Sequence, residues 1–577
     1  MLHKILELRL QQAVAAVLPD ADTTGILVRP CPDPKFGDYQ TNALMSLAKA
    51  RKMNPRQLAT QVSEKLDIAD LCDPVKVEGP GFLNFRLKPS AIGATLEKAA
   101  AGGELFYERT ANPRCIVVDF SSPNVAKPMH VGHIRSTILG ESLTRILRLL
   151  GHRVVTDNHI GDWGTQFGKL LVGWKTQLDR ARLASDPIGE MERLYKTINA
   201  ACDSDPQVLE SARRELVKLQ GGDKENAAIW QEMITLSEAQ FQRVYSRLGV
   251  NFDYTFGESY YNARLKGVVE ELTRLQIAQP SEGAMAVFFA DNPEIKDHPS
   301  LVQKSDGGFN YTTTDLATLQ FRLEGGAWGV VPNEIIYVTG APQQLHFKQL
   351  FAIFRRWKPD AQVKLAHVWF GSVLGEDGKP FKTRAGDTVR LEDLLDEAEE
   401  RAFKVVSDKN PELPEDARRE IARVVGLGAI KYADLSQNRQ SDYVFSWDRM
   451  LSLQGNTAPY LLYAYTRIQS IFRKVGESAA PDRASKMELT EPEELALGRR
   501  LLNFGLALEA AADDYRPNFL CSYLYDLAGD YARFYENCPV LKAEGAIRSS
   551  RLALSDLTAR VMKQGLEVLG IETTSQM

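Results

Sequence analysis

Between residues 121 and 133 the chain reads SSPNVAKPMHVGH. Two imidazoles, His130 and His133, flank Gly132, and Lys127 and Asn124 stand just upstream. Imidazole and ammonium groups are hydrogen-bond donors for phosphate oxygens. The same groups at a helix N-terminus add unpaired N–H groups and the positive end of the helix dipole. Gly132 lets the backbone approach a flat base or a phosphate. Two other uses stay open on spacing alone: the histidines cap or pack a helix, or they bind a metal. For zinc, no third clustered ligand is in view. A second set of cations, Lys379 and Lys382, lies in GEDGKPFKTRAGD among Gly375, Gly378 and Gly386. A third polar stretch, Gly161, Asp162, Gly164 and Gln166, lies in NHIGDWGTQFG.

These residues need elements to hold them. CIVVDF, before the first set, is short, apolar and β-branched, as a buried strand is. After it, Ile134, Ile138, Leu139, Leu143, Ile146, Leu147 and Leu150 recur at helical spacing, and Gly151 suits the position past the helix end. RVVTDN then reads as a strand, which makes a βαβ unit and implies a parallel sheet. A helical insertion follows, about 169–250. EIIYVTG, a helix through FKQLFAIFRRW, and KLAHVWFGSV supply the second half of a doubly wound sheet. Ligands of such sheets bind beyond the carboxyl ends of the strands, where all three polar sets fall.

The remainder divides in two. Residues 1–111 read as a small α/β module with a helix from Pro55 and a Gly-Pro-Gly turn between apolar segments; 112–404 hold the sheet. From 405 to 577 the chain is long, apolar-periodic and poor in strand signals, as a helical bundle is, with Pro481 in an inter-helix loop. The 577 residues suit several domains. Hydrophobic content of 44% and charged content of 25% are ordinary globular values. No apolar run reaches about 18 residues. Lys4, Glu7 and Arg9 interrupt any leader-like core. Six scattered cysteines without a CxxC pair suit reduced thiols, hence a cytoplasmic setting. A net charge of −5 confines any nucleic-acid surface to a local patch.

PNVAKPMHVGH resembles the His-x-Gly-His signature of class I aminoacyl-tRNA synthetases, and SSPNVAKPMHVGHIRST resembles arginyl-tRNA synthetases in particular. NHIGDWGTQFG, GESYYN, YTTTDLA, GKPFKTRAG, GNTAPYLLYAYTRI and FGDYQTNA extend the likeness over nearly the whole chain. The resemblance implies a Rossmann-like parallel-sheet catalytic domain with a helical insertion, an N-terminal α/β module touching the tRNA elbow, with Phe36, Tyr39 and Asn42 of its signature stretch either contacts or core, and an all-helical anticodon-binding domain. It implies that L-arginine and ATP, with Mg2+ accompanying the nucleotide, give arginyl-adenylate and pyrophosphate, and that tRNA(Arg) takes the arginyl group, tRNA being needed even for activation. It places Asn124, Glu258, Tyr311, Asp315 and Gln343 in the arginine pocket. ATP falls to His130, Gly132, His133, Gly161, Asp162, Gly164 and Gln166, with His346 a further candidate and no protein-bound metal. Family likeness leans to a monomer.

The chain departs from the family's common Lys-Met-Ser-Lys-Ser loop. It has Lys379-Pro380-Phe381-Lys382-Thr383-Arg384, so the second lysine is out of register. A subset of the family looks similar, with a lysine upstream of His-x-Gly-His as the substitute, here Lys127. Tyr460, Tyr463 and Tyr465 are candidates for stacking on unpaired bases. Two rival readings stand at this point: a nucleotidylyl transferase of the same fold without tRNA, and a non-catalytic RNA-binding paralogue. The helical C-terminal region weighs against the first, and intact His130, Gly132, His133 and Lys127 against the second.

Overall fold

A computed structural model of the chain describes residues 1–381, 389–476 and 486–577. Lys382 and Pro481 therefore lie outside the described residues. The chain forms two compact units, one of Met1–Arg109, Leu453–Glu567 and Glu572–Met577, the other of Thr110–Ser452 and Val568–Ile571.

The second unit is built on a four-stranded parallel sheet with the spatial order Lys364–His367, Glu334–Val338, Cys115–Phe120, Arg153–Asp157. In chain order this is fourth, third, first, second, so the order reverses between Cys115–Phe120 and Glu334–Val338. Both central strands are buried along their whole length, which is why they read as continuous apolar runs. Their one face packs Val117, Val155 and Ile335 against Val268, Leu272, Leu316, Leu319, Leu350 and Ile353 of flanking helices. Each such side chain contributes roughly 1.5–3 kcal/mol on burial. The helix Val131–Leu149 passes close to the central strand at Gly140, where a Cβ would stand 2.2 Å from the Phe120 ring. Arg322, on the helix Tyr311–Leu323, is fully buried and donates to Asp119 (2.6 Å) and Asp157 (2.7 Å) at the carboxyl ends of the first two strands. The expected insertion is five helices from Gln166–Gln177 to Lys224–Leu248. A three-stranded antiparallel meander, Gln279–Ser281, Ala284–Val287 and Ser300–Gln303, was not foreseen from the sequence. The helices Leu391–Lys409 and Glu415–Leu435 also belong to this unit.

In the first unit, the N-terminal module is a four-stranded antiparallel sheet carrying helices. The helix Pro55–Lys65 starts at Asn54, whose side chain accepts from the Arg56 and Gln57 N–H groups. Gly79 and Gly81 both take positive φ in the turn between strands Lys76–Glu78 and Phe82–Phe85. Tyr39 is core, with its hydroxyl donating to Asn503 (2.7 Å), while Phe36 is exposed beneath the Lys35 ammonium. The stretch from Leu495 to Tyr515 breaks at Asn503 into two helices, Pro492–Leu502 and Phe504–Asp513. The break lets the Gly505 N–H reach the Phe106 carbonyl. Tyr463 is 47% exposed and Tyr460 packs at a tilt against Tyr525, but Tyr465 is buried. The expectation for Tyr465 is thereby corrected: on the helix Ala458–Val475 it falls on the apolar stripe that faces the bundle.

Candidate active site

The loop after Cys115–Phe120 is held in an unusual backbone. Ser121, Ser122 and Ala126 all take positive φ, a conformation costing a non-glycine residue about 1–3 kcal/mol. The motif's own side chains hold it there. Ser136 Oγ accepts from the Ser121 N–H (2.9 Å) and donates to the Val338 carbonyl (2.6 Å), joining the two central strands. Ser121 Oγ bonds Thr137 and Tyr245, each at 2.8 Å. Ala126 N–H donates to Ser237 on the insertion's last helix (3.0 Å).

The two histidines form a reciprocal cap. The Gly132 N–H donates to His130 Nδ1 (3.1 Å), and the His130 N–H donates to His133 Nδ1 (3.0 Å). Since each Nδ1 accepts, the proton of each neutral ring sits on Nε2, which is then the donor left for a ligand. Burial pushes His133 down to about 3 and also lowers His130, whose neighbour Lys127 adds to the shift. A Cβ at Gly132 would stand 2.9 Å from the His130 ring, so glycine is what seats that ring. The helix N-terminus itself offers less than expected. Val131 N–H donates to Val389, Gly132 N–H to His130 and His133 N–H to the His130 carbonyl. The donors left free at this end are therefore the ring Nε2–H groups rather than these backbone N–H groups.

These rings line a cavity of about 430 Å³ at the reversal point of the sheet, with Asn124, Gly132, Thr339, Gln343 and Phe370 among its other walls. Asn124 is fixed through paired loops: Val125 N–H donates to Gly161, Gly161 N–H to Pro123, and a Cβ at Gly161 would strike the Asn124 side chain. Pro380 and Phe381 close the same cavity, whereas Lys379 lines a neighbouring one with Asp377 and Arg401. Beyond the undescribed stretch, Leu391 N–H returns to the Met129 carbonyl, so both ends of the Lys379 loop are tied to the cleft. The Lys127 ammonium lies 5.4 Å from the Tyr195 ring, and among the described residues no carboxylate pairs with it.

The acidic residues gather beside the second strand's loop. Glu258 N–H donates to the Ile160 carbonyl (3.1 Å). Burial pushes the Glu258 carboxyl up to about 7; the nearby His159 opposes the shift, Asp315 and Asp162 add to it, and no side-chain hydrogen bond to the carboxyl is seen among the described residues. Asp315 accepts from His346 Nε2 (2.5 Å) and lies 3.9 Å from His159 Nε2. The Tyr311 ring stands edge-on to His346, centroids 4.8 Å apart, and is 61% exposed. Asp162 spends its carboxylate on Ser259, accepting from both N–H (2.8 Å) and hydroxyl (2.5 Å), which fixes the turn carrying Glu258. Gly164 (φ +134°) and Gln166 open the insertion's first helix and are not among the cavity walls. His159, in a quoted stretch but unread, is the residue that sequence reasoning missed; a lone histidine beside Gly161 was its only signal. Among the described residues no group of three or more His, Cys, Asp or Glu is arranged to hold a metal.

Three family models match the chain: the arginyl tRNA synthetase N terminal domain over residues 4–87, the class I (R) tRNA synthetase catalytic domain over 95–447, and the DALR anticodon binding domain over 461–577. An arginine–tRNA ligase of Synechococcus sp. is 47% identical over 581 residues, spanning 99% of this chain and 98% of that protein. The arginyl-tRNA synthetase structure from Plasmodium falciparum superposes with a TM-score of 0.83 at 29% identity, covering 100% of this chain and 99% of that one. That of Thermus thermophilus gives 0.82 at 26% identity, with 100% of both chains covered. With the reversal-point cleft, the capped imidazole pair and the acidic pocket beside it, these likenesses make the chain a member of the class I arginyl-tRNA synthetase family.

Proposed function

We infer that this chain activates arginine with ATP, releasing pyrophosphate, and transfers the arginyl group to tRNA(Arg). The observation that carries the substrate is the part-buried Glu258 carboxyl near Asp315: two acidic groups with only imidazoles for internal partners suit a guanidinium and an α-ammonium. In the first step an arginine carboxylate oxygen attacks the α-phosphorus and the bond to pyrophosphate breaks. In the second, the 2′-hydroxyl of the terminal tRNA ribose attacks the adenylate carbonyl and AMP leaves. Neither needs a covalent enzyme intermediate; alignment and charge stabilisation suffice.

The roles follow from chemistry and position. His130 and His133 donate from Nε2 to phosphate oxygens. Lys127, with Lys379 and Lys382 of the loop, supplies positive charge to the phosphates. Asn124, Glu258, Tyr311, Asp315 and Gln343 take arginine, and Gly161, Gly164 and Gln166 the nucleoside side, with Asp162 holding the Glu258 turn. The donor set at the phosphate end is imidazole and ammonium, so magnesium accompanies ATP rather than occupying a protein site. The N-terminal module touches the tRNA, and the helical region matched over 461–577, shorter at its start than the 405 expected from the sequence, reads the anticodon, with Tyr460 and Tyr463 available for stacking. The enzyme works as a cytoplasmic monomer. Arginine-dependent ATP–pyrophosphate exchange with tRNA(Arg) tests this reading, and absence of exchange with that tRNA present would refute it.

A further inference from the structure

Two residues past His133 the same helix turns Arg135 inward, where it is 1% exposed. Its Nε donates to Asp434 (3.0 Å), its Nη1 to the Gly371 carbonyl (2.6 Å) and the Ser441 carbonyl (3.3 Å), and its Nη2 to the Arg439 carbonyl (3.4 Å). The guanidinium also sits 5.1 Å from the Tyr443 ring and 5.5 Å from the Phe370 ring. Three separate segments thus meet on one side chain: the signature helix, the strand run Phe370–Leu374, and the turn that follows the helix Glu415–Leu435. The second segment is a wall of the cleft and leads directly into the loop of Lys379. It is fastened to the third by parallel pairing of Val373–Leu374 with Tyr443–Val444 and by the Asp442 carboxylate, which accepts from the Ser372 N–H. A Cβ at Gly371 would meet Asp442 and Ser441 at 2.6–2.7 Å, so the approach is already close.

We propose that Arg135 is a positioning residue for adenylate formation, setting the register between the His130–His133 donors and the strand that delivers the lysine loop. With its guanidinium committed to Asp434 and three backbone carbonyls, it acts through Gly371 and the 439–443 turn. Lysine cannot replace it, because one ammonium cannot span a carboxylate on one side and three carbonyls on the other. The carboxylates of the arginine pocket, Glu258 and Asp315, hang from other elements, the Gly257–Tyr261 turn and the helix from Tyr311, so arginine affinity is expected to change far less than kcat.

The proposal rests on the reading of the chain as an arginine-activating enzyme, and the wild-type protein tests that reading first, by arginine-dependent ATP–pyrophosphate exchange with tRNA(Arg). Given an active wild type, Arg135→Lys is expected to lower kcat for exchange by about 10–100-fold while KM for arginine stays within about twofold. A folded Arg135→Lys protein with wild-type kcat, or one whose arginine KM rises in step with the loss of kcat, overturns the proposal and leaves the reading intact. If Arg135→Lys fails to fold, Asp442→Ala decides. Asp442 is exposed and holds the same strand from the other side, so its loss is expected to lower kcat about 5–10-fold with arginine KM unchanged. An unchanged kcat in Asp442→Ala overturns the proposal.

Discussion

With both Nδ1 atoms accepting backbone N–H groups and burial holding His133 near 3, His133 remains a neutral donor above about pH 5, and burial shifts His130 in the same direction. On the proposed reading, their work is directional hydrogen bonding to charge that grows on phosphate oxygens. Removing one such donor typically lowers the rate by about 10²–10³. His133→Ala should lower adenylate formation by that factor in pyrophosphate exchange; an unchanged rate would remove His133 from the mechanism. Glu258 behaves oppositely with pH. Its carboxyl is raised to about 7, so a proton competes with the arginine cation there and KM for arginine should rise as pH falls from 8 to 6. A flat KM across that range would contradict the assignment. For the empty protein the sign is reversed. The folded state binds the Glu258 proton more tightly than the unfolded chain, so this group's stabilising contribution is full below the ordinary carboxylate range and is lost as pH rises through about 7. Glu258→Gln should accordingly raise the Tm of the ligand-free protein at pH 8, by about 2–4 °C for each kcal/mol recovered, while abolishing arginine binding. The place of His-x-Gly-His at a strand–helix junction was legible because types and spacing are local. The reason for Gly132 was not: the His130 ring, rather than a ligand, fills the space where a Cβ would go.

At the scale of elements, the strands and the signature helix could be read from apolar runs and helical periodicity, and Cys115–Phe120, Arg153–Asp157 and Glu334–Val338 form where those patterns lie. What local pattern cannot show is pairing between segments far apart in the chain. Asp119 and Asp157 look like strand-end polar residues, and Arg322 like a surface arginine at the end of a helix. Folding brings all three into a dry site. Truncating Arg322 to Met would leave two buried carboxylates without their cation, a loss of about 3–5 kcal/mol. A Tm lower by roughly 10 °C is expected in thermal melts of Arg322→Met. A shift under about 2 °C would show that the triad contributes little. The meander of 279–303 escaped notice for a related reason: its strands are only three or four residues long and alternate weakly.

For the whole molecule, the sheet, cleft and acidic cluster fall in one unit, together with the helices to Ser452 that the sequence pattern assigns to the C-terminal bundle, and the later helices and N-terminal module in the other. The first and last segments of the chain share a unit, which no linear reading of domain order reveals. The central claim is that the cleft accepts ATP and the pocket beside it accepts arginine. The most direct measurement is ATP–pyrophosphate exchange by the full-length protein, with arginine and with lysine, in the presence and absence of tRNA(Arg). Exchange should depend on arginine and on the tRNA, and lysine should be rejected by about 10⁴, because a buried carboxylate pair built for a planar fork is left imperfectly satisfied by a single ammonium. Equal exchange with lysine, or none with arginine and tRNA(Arg) together, would contradict it.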